Sequence, residues 1–319
     1  MKKKVVLYGQ VLLSSALILY LISVLDWERI KLVLPQLSHE YVGYAFLLLF
    51  LAALFSAVRW DVLLKRLEVR QRALDSWRYY MISMFYGSML PGIIGGDVVR
   101  LGLSIKHHGM TMKGVLTASI LFDRICGFIA LLAIFTVMAS FVPAILGNEG
   151  FLGSSVYILP PASIIGFILI LVLLKKAPEG WFAVKVDRQG WLQSLGSLMQ
   201  RFRELSAATL SLMLALSLLV YLLDIVGSYF LSRALHIDVP FLYFLIIIPI
   251  TYVVTALPIS LGGLGVREGV LTFFLVKVGV IASDAVLLAF LIYLTWLAVA
   301  LIGGIVQLMG RMDIDEVKI

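Results

Sequence analysis

Apolar positions run along this chain in long unbroken stretches, not in the one-sided stripes of a soluble helical protein. A hydrocarbon core about 30 Å thick needs roughly 20 apolar residues per helix. Runs of that length predict full spans at 5–25, 41–64, 114–142, 155–174, 209–231 and 285–309. Pro160 and Pro161 fall early in the fourth and predict a kink there. Two further apolar stretches are broken. The first, 79–105, is interrupted by Pro91-Gly92 and Gly95-Gly96; the second, 241–280, by Pro258 and by Gly262, Gly263 and Gly265. In the first, each arm has about a dozen residues, which at about 1.5 Å per residue reaches about 18 Å, little more than half the core. Such an arm is expected to dip to the midplane and return.

Composition supports the same picture. Hydrophobic residues make up 61% of the 319 and charged residues only 14%, against about a quarter charged in a soluble domain. The single cysteine, Cys126, lies in an apolar run and reads as a packing residue, with no partner for a disulfide or a thiolate cluster. The net charge of +7 is spread over the loops between spans, which points to anionic lipid head groups and away from nucleic acid. The start of the chain, Lys2 to Lys4 followed by the run from Val5 to Leu25, lacks a small-residue cleavage site and is expected to be a retained first span.

Lys and Arg are unequally divided between alternate loops. Segments 1–4, 65–78, 106–113, 175–208 and 310–319 carry 18 of the 26, the intervening loops carry four, and Arg59, Arg100, Arg124 and Arg267 fall inside apolar stretches. The excess places the first set, and both termini, in the cytoplasm. The first broken stretch then enters from the cytoplasm and the second from outside. In the longest polar connection, Trp191, Leu192, Leu195, Leu198, Met199 and Phe202 recur at helical spacing opposite Gln200, Arg201 and Arg203, predicting a helix at 190–206 lying on the cytoplasmic surface.

The two breakpoints are copies of one another. Leu90-Pro91, Gly95-Gly96 and Val99-Arg100 recur at a constant offset of 167 as Leu257-Pro258, Gly262-Gly263 and Val266-Arg267, with Ser88 matching Thr255 and Arg66 matching Arg233. Together with the sidedness, this predicts repeat halves at 41–142 and 209–309 inserted in opposite senses. Oppositely oriented copies with Gly- and Pro-broken helices at the midplane are the pattern of a transporter built around a central site. Irregular backbone at that depth survives only against protein or a watery cavity.

Eight ionisable residues fall well inside the apolar stretches, five or more positions from their ends: Arg59, Asp97, Arg100, Asp123, Arg124, Asp224, Arg267 and Glu268. Each costs about 2.5 to 3.5 kcal/mol at a helix centre on insertion scales, so they must pair, face water or bind a ligand. Asp97 and Arg100, three apart, can share a helix face. Arg267 and Glu268 are neighbours and point roughly 100° apart. Ser217, Tyr221, Asp224 and Ser228 form one polar stripe, as do Thr117, Arg124 and Gly127, with Asp123 directed towards the side of Ser119. Other chemistry finds little support. The Gly-rich run 263–269 has the wrong spacing for a dinucleotide fingerprint and follows no strand. His107 and His108 are adjacent in a basic loop, and His39 and His236 stand apart from any ligand cluster. No nucleophile has a histidine at a readable spacing. No metal or cofactor is expected.

Residues 89–100, Met-Leu-Pro-Gly-Ile-Ile-Gly-Gly-Asp-Val-Val-Arg, the Phe-Asp-Arg at 122–124, and residues 258–269, Pro-Ile-Ser-Leu-Gly-Gly-Leu-Gly-Val-Arg-Glu-Gly, resemble the lysylphosphatidylglycerol synthase transmembrane family, also called flippase-like. The similarity extends over essentially the whole chain. In the multiple peptide resistance factors such a membrane region flips aminoacylated phosphatidylglycerol, and a separate soluble domain attaches the amino acid. This sequence has no stretch of that second character, so the resemblance implies the flippase half alone. It does not carry the substrate over, since other members serve polyprenyl-linked or glycolipid pathways. The motif positions it marks are Pro91, Gly95, Gly96, Asp97, Arg100, Asp123, Arg124, Pro258, Gly262, Gly263, Arg267 and Glu268.

The expected molecule is therefore an all-α integral membrane protein of the cell membrane, a bundle of about six full spans and two re-entrant broken-helix hairpins forming an inverted repeat. Its expected work is to translocate a lipid or polyprenyl-linked amphiphile with a phosphate-containing, anionic or zwitterionic head group. Arg100 and Arg267 would bind phosphate from opposite sides, Arg124 and Arg59 would extend the path, and Asp97, Glu268 and Asp224 would balance charge or relay protons. Two alternatives stay open at this point, a membrane-embedded lipid-modifying enzyme and a scaffold for a cell-envelope glycosyltransferase. The protein partners to consider are a second copy and an envelope-biosynthesis enzyme.

Overall fold

The computed structural model describes residues 2–89, 95–139, 205–256, 260 and 263–310. The expected span at 155–174, the surface helix at 190–206, Pro91, Pro258 and Gly262 lie outside the described residues.

Ten α-helices occur among the described residues, in the order α1 (Lys2–Val24), α2 (Trp27–Val33), α3 (His39–Arg66), α4 (Ala73–Met89), α5 (Gly95–His108), α6 (Lys113–Ala139), α7 (Ala207–Ala234), α8 (Phe241–Ala256), α9 (Val266–Lys277) and α10 (Ala282–Gly310). Four of them, α3, α6, α7 and α10, are long and apolar enough to cross a membrane. The protein is an all-α multi-pass membrane protein. Helix is the only open-ended way to satisfy backbone N–H and C=O groups within lipid. Side-chain caps close the starts of α2 and α7. The Asp26 carboxylate accepts from the N–H groups of Glu28 and Arg29 at 3.1 and 3.2 Å to start α2, and Ser206 accepts from Thr209 N–H at 3.2 Å to start α7.

Two findings depart from the sequence reading. The arms of the first broken stretch are longer than expected, 17 residues in α4 and 14 in α5; in the second, α8 has 16 and α9 12. Even the longest reaches about 25 Å at 1.5 Å per residue, short of a full core. The short α2 was not foreseen, because seven residues beginning with Trp27 carry too little periodicity to register. It is tied to the start of α10, where Arg29 holds Asp284 through two hydrogen bonds of 2.6 Å and Asp26 N–H donates to Ser283 Oγ at 3.0 Å.

Helices α3 to α6 and α7 to α10 repeat one order, long, short, short, long. Their packing is also exchangeable. Helix α3 packs on α7, α4 on α10 and α6 on α8, so the first short arm of each half lies against the last long helix of the other half. The leading helices run antiparallel: Ser38 N–H donates to Ala234 O, Gly227 faces Ala45 and Leu49, and Arg59 reaches Ser217. Helices α4 and α5 fold back on each other, with Tyr79 beside His107 at one end and Ser83 and Gly87 against Gly96 at the other.

Two apolar cores hold these halves. One gathers Trp60, Leu63, Leu64, Ile82, Val99, Leu116 and Ile120 from α3 to α6. The other gathers Ile225, Leu231, Phe244, Ile247, Leu271, Leu275 and Leu288 from α7 to α10. Between them, small residues let backbones meet, as they must where lipid offers no hydrophobic drive to helix association. A Cβ on Gly303 would collide with the Met81 carbonyl across the halves, and within the first half one on Gly96 would collide with the Ser83 carbonyl.

Candidate functional site

A cavity of about 580 Å³ opens between the two halves. Helix α3 contributes Ala52, Ala53, Ser56 and Arg59; α4 and α5 contribute Tyr80, Ser83, Gly87, Gly96 and Asp97; α6 contributes Asp123, Arg124, Gly127 and Phe128. From the second half come Val220, Tyr221, Asp224, Ser228, Tyr252, Thr255, Gly263, Arg267, Ile292 and Trp296. Its wall is therefore charged in one part and apolar in the rest.

The first half carries a continuous ion-pair chain. Arg59 donates from Nε to Asp123 Oδ1 at 2.7 Å and from Nη1 to Ser217 Oγ at 2.8 Å. The other Asp123 oxygen receives Arg100 Nη1 at 3.3 Å, and Arg100 Nη2 reaches Asp97 Oδ1 at 3.0 Å. Asp97 also takes two bonds from Arg124, 2.8 Å from Nε and 3.1 Å from Nη2. Three guanidinium groups thus share two carboxylates, leaving one excess positive charge. The excess is exposed at one end: the Arg124 side chain is 54% accessible, whereas Arg59 is 7% and Arg100 1%.

The second half contributes one more pair and one isolated acid. Glu268 Oε2 accepts from the N–H of Gly265, whose φ of +79° suits glycine, and so fixes the start of α9. Its other oxygen receives Arg267 Nε and Nη2 at 3.0 and 2.9 Å. Adjacent positions point far apart on a helix, yet the length of the Arg267 side chain lets it fold back onto its neighbour, a pairing that residue spacing did not suggest. The Arg267 guanidinium lies 4.7 Å from the Tyr293 ring centre and 6.0 Å from that of Trp296. Asp224 has one described side-chain partner, the Tyr252 hydroxyl at 3.3 Å.

Six of the eight ionisable residues expected at the site line the cavity: Arg59, Asp97, Asp123, Arg124, Asp224 and Arg267. Arg100 and Glu268 sit behind its wall. The equivalence of Arg100 and Arg267 in the repeat does not extend to exposure. Arg100 is enclosed between Trp60 and Tyr80, with ring centres at 4.8 and 5.1 Å, and its Nε has no partner among the described residues. Two cations of that half line the cavity, Arg59, which is buried against Asp123 and Ser217, and Arg124, which is exposed. Asp123 points to the side of Ser119, as expected: Asp123 binds Arg59 and Ser119 accepts from the Trp60 indole N–H at 3.1 Å, both partners on α3, and Asp123 also lines the cavity. Of the two polar stripes, Tyr221, Asp224 and Ser228 face the cavity and Ser217 meets Arg59; Thr117 returns its hydroxyl to Lys113 O. Gly96 and Gly263 line the cavity at equivalent positions, and Gly95 opens α5.

The sequence reading missed the aromatic frame of Tyr80, Tyr252, Tyr293 and Trp296. In a chain so apolar, aromatic residues have no distinguishing pattern; only their placement sets them apart, Tyr80 over Arg100, Tyr293 and Trp296 over Arg267, and Tyr252 against Asp224. Among the described residues no group of His, Cys, Asp and Glu could hold a metal ion.

Residues 8–304 match the family described as the lysylphosphatidylglycerol synthase TM region. The chain belongs to this family. A UPF0104 membrane protein of Pyrococcus horikoshii is 23% identical over 331 aligned positions, covering 95% of this chain and 97% of that protein.

Proposed function

We propose that this member of the lysylphosphatidylglycerol synthase transmembrane family is a flippase: it moves a lipid or polyprenyl-linked amphiphile with a phosphate-containing head group across the cell membrane, and carries out no covalent chemistry on it. One observation carries the reading. The cavity between the halves presents a cation from each, Arg124 and Arg267, beside an apolar wall of Ala52, Ala53, Phe128, Val220 and Ile292. A guanidinium offers five N–H donors in a fixed fork. Arg124 and Arg267 each use Nε and Nη2 in ion pairs, so the remaining donors are open to phosphate oxygens. The apolar wall suits the start of a lipid tail.

The two halves work as an inverted repeat. Their antiparallel leading helices and exchangeable packing support this arrangement, in which rocking one half against the other exposes the same site alternately to each face. Both termini lie in the cytoplasm, as the distribution of Lys and Arg favours. The lipid partner carries an anionic or zwitterionic head group.

The experiment is a head-group accessibility assay in proteoliposomes with fluorescent phospholipids quenched from outside. Wild-type protein should make lipid of the inner leaflet accessible, and Arg124→Gln and Arg267→Gln should each reduce the rate by at least tenfold. Unchanged rates in both variants would dismiss the reading.

A further inference from the structure

The four carboxylates at the cavity and directly behind its wall are not alike. Asp97, Asp123 and Glu268 are each held by one or two arginines, at 2.7 to 3.3 Å. Asp224 has no arginine or lysine within ion-pair distance among the described residues, and its one side-chain contact, the Tyr252 hydroxyl at 3.3 Å, is long for a hydroxyl donor. It nevertheless lines the same cavity as Arg124 and Arg267. An ionisable residue left without a partner inside a membrane protein points to function before structure.

Charge accounting shows what it can do. The chain of Arg59, Asp123, Arg100, Asp97 and Arg124 carries one excess positive charge, and the Arg267–Glu268 pair is neutral. With Asp224 ionised the whole site is neutral. A singly charged phosphodiester arriving at Arg124 and Arg267 would then leave one uncompensated negative charge within the bilayer. One proton on Asp224 removes it. The groups that set its surroundings come from every neighbouring element. Helices α3 and α6 bring Arg59, Asp123 and Arg124, and α4 and α5 bring Tyr80 and Asp97. Helices α7, α8 and α9 bring Tyr221, Tyr252 and Arg267, while α10 presents Ile292 and Trp296, which do not titrate.

We infer that Asp224 is the proton carrier of this cavity, so that each anionic head group held by Arg124 and Arg267 travels with one proton bound to the Asp224 carboxylate. The inference rests on the flippase reading. The proton leaves the aqueous phase on the loading side, resides on the carboxylate oxygen while the head group is bound, and is released to water on the far side with it. Lipid and proton move in the same direction. The loaded site carries no net charge, so the membrane potential does not oppose its passage, and a pH difference drives head groups from the acidic face to the alkaline one.

Two measurements test this. In weakly buffered detergent solution, short-chain phosphatidylglycerol is added to the purified full-length protein and the pH followed. Proton linkage predicts uptake of about one proton per head group bound by wild type and none by Asp224→Asn. In proteoliposomes, wild-type movement of phosphatidylglycerol from the outer leaflet should accelerate at least fivefold when the outside is one pH unit more acidic, Asp224→Asn should lose this response, and Asp224→Glu should regain it. Wild-type binding without proton uptake overturns the inference, as does a pH response that persists in Asp224→Asn. Phosphatidylethanolamine that binds without proton uptake, and weakly to Asp224→Asn, would assign the carboxylate to a head-group ammonium and overturn it too. Absence of lipid movement by wild type at every pH would instead remove the flippase reading, while the binding measurement still decides whether Asp224 takes up a proton.

Discussion

Asp97 grips Arg124 through two hydrogen bonds, 2.8 and 3.1 Å long, across 27 residues of sequence. The carboxylate stands on the first turn of α5 and the guanidinium on α6, so the orientation of the exposed cation depends on the position of the broken helix. A movement of α5 that separates the two would free Arg124 to follow its ligand. Asp97→Asn keeps the shape and removes the charge. Head-group affinity, measured by titration with short-chain phosphatidylglycerol, should change at least fivefold while the protein still inserts and elutes normally in detergent. An unaltered affinity would mean that Asp97 does not control Arg124.

The buried part of the ion-pair chain should behave differently from its exposed end. Asp123→Ala strands Arg59 without its carboxylate and is expected to cost about 3 to 5 kcal/mol, read as a large fall in melting temperature in detergent. Replacing Arg59 and Asp123 together by Met should recover much of that loss. Arg124→Gln, at a side chain more than half exposed, should leave the melting temperature within a few degrees of wild type and still abolish lipid movement. Equal destabilisation by Asp123→Ala and Arg124→Gln would contradict this division.

Backbone contact between α4 and α5 makes Gly96 a sensitive position. A Cβ there would strike the Ser83 carbonyl, whereas one on Gly43 meets nothing within 4 Å. Gly96→Ala should destabilise by at least the 1 to 3 kcal/mol typical of overpacking, and Gly43→Ala should be close to neutral. Thermal melts of the two variants side by side make the comparison, and a neutral Gly96→Ala would mean that the two arms do not pack this closely.

Sidedness can be read with two exposed positions, Arg70 after α3 and Asp238 after α7. Both are to be replaced singly by cysteine in a Cys126→Ala background, where Cys126 is buried. Arg70→Cys should react with a membrane-impermeant thiol reagent only from the cytoplasmic side, and Asp238→Cys only from outside. Labelling of both from one side would refute opposite insertion of the two halves.

Much of this protein was legible in its sequence. Membrane insertion, the long helices and the breaks between α4 and α5 and between α8 and α9 follow from the length of apolar runs and from Gly and Pro. These are local properties: lipid demands helix, a core of fixed thickness sets its length, and glycine is required where backbones touch or φ turns positive. Of the eight charged residues singled out by position alone, six line the cavity, because a charge in an apolar run must find water, a partner or a ligand.

Tertiary structure alone decided how those charges divide. Arg100 and Arg267 occupy matching places in the repeat, yet one is sealed behind Trp60 and Tyr80 while the other faces the cavity. Arg59 finds Asp123 across 64 residues and Arg124 finds Asp97 across 27, and among the described residues Asp224 is left without a cation. Pairing depends on distances between helices that are remote in sequence, set by which small residues let backbones approach. Residue type fixes the charge a side chain carries, but its partner, and therefore whether that charge is structural or free to act, is fixed only when the helices pack.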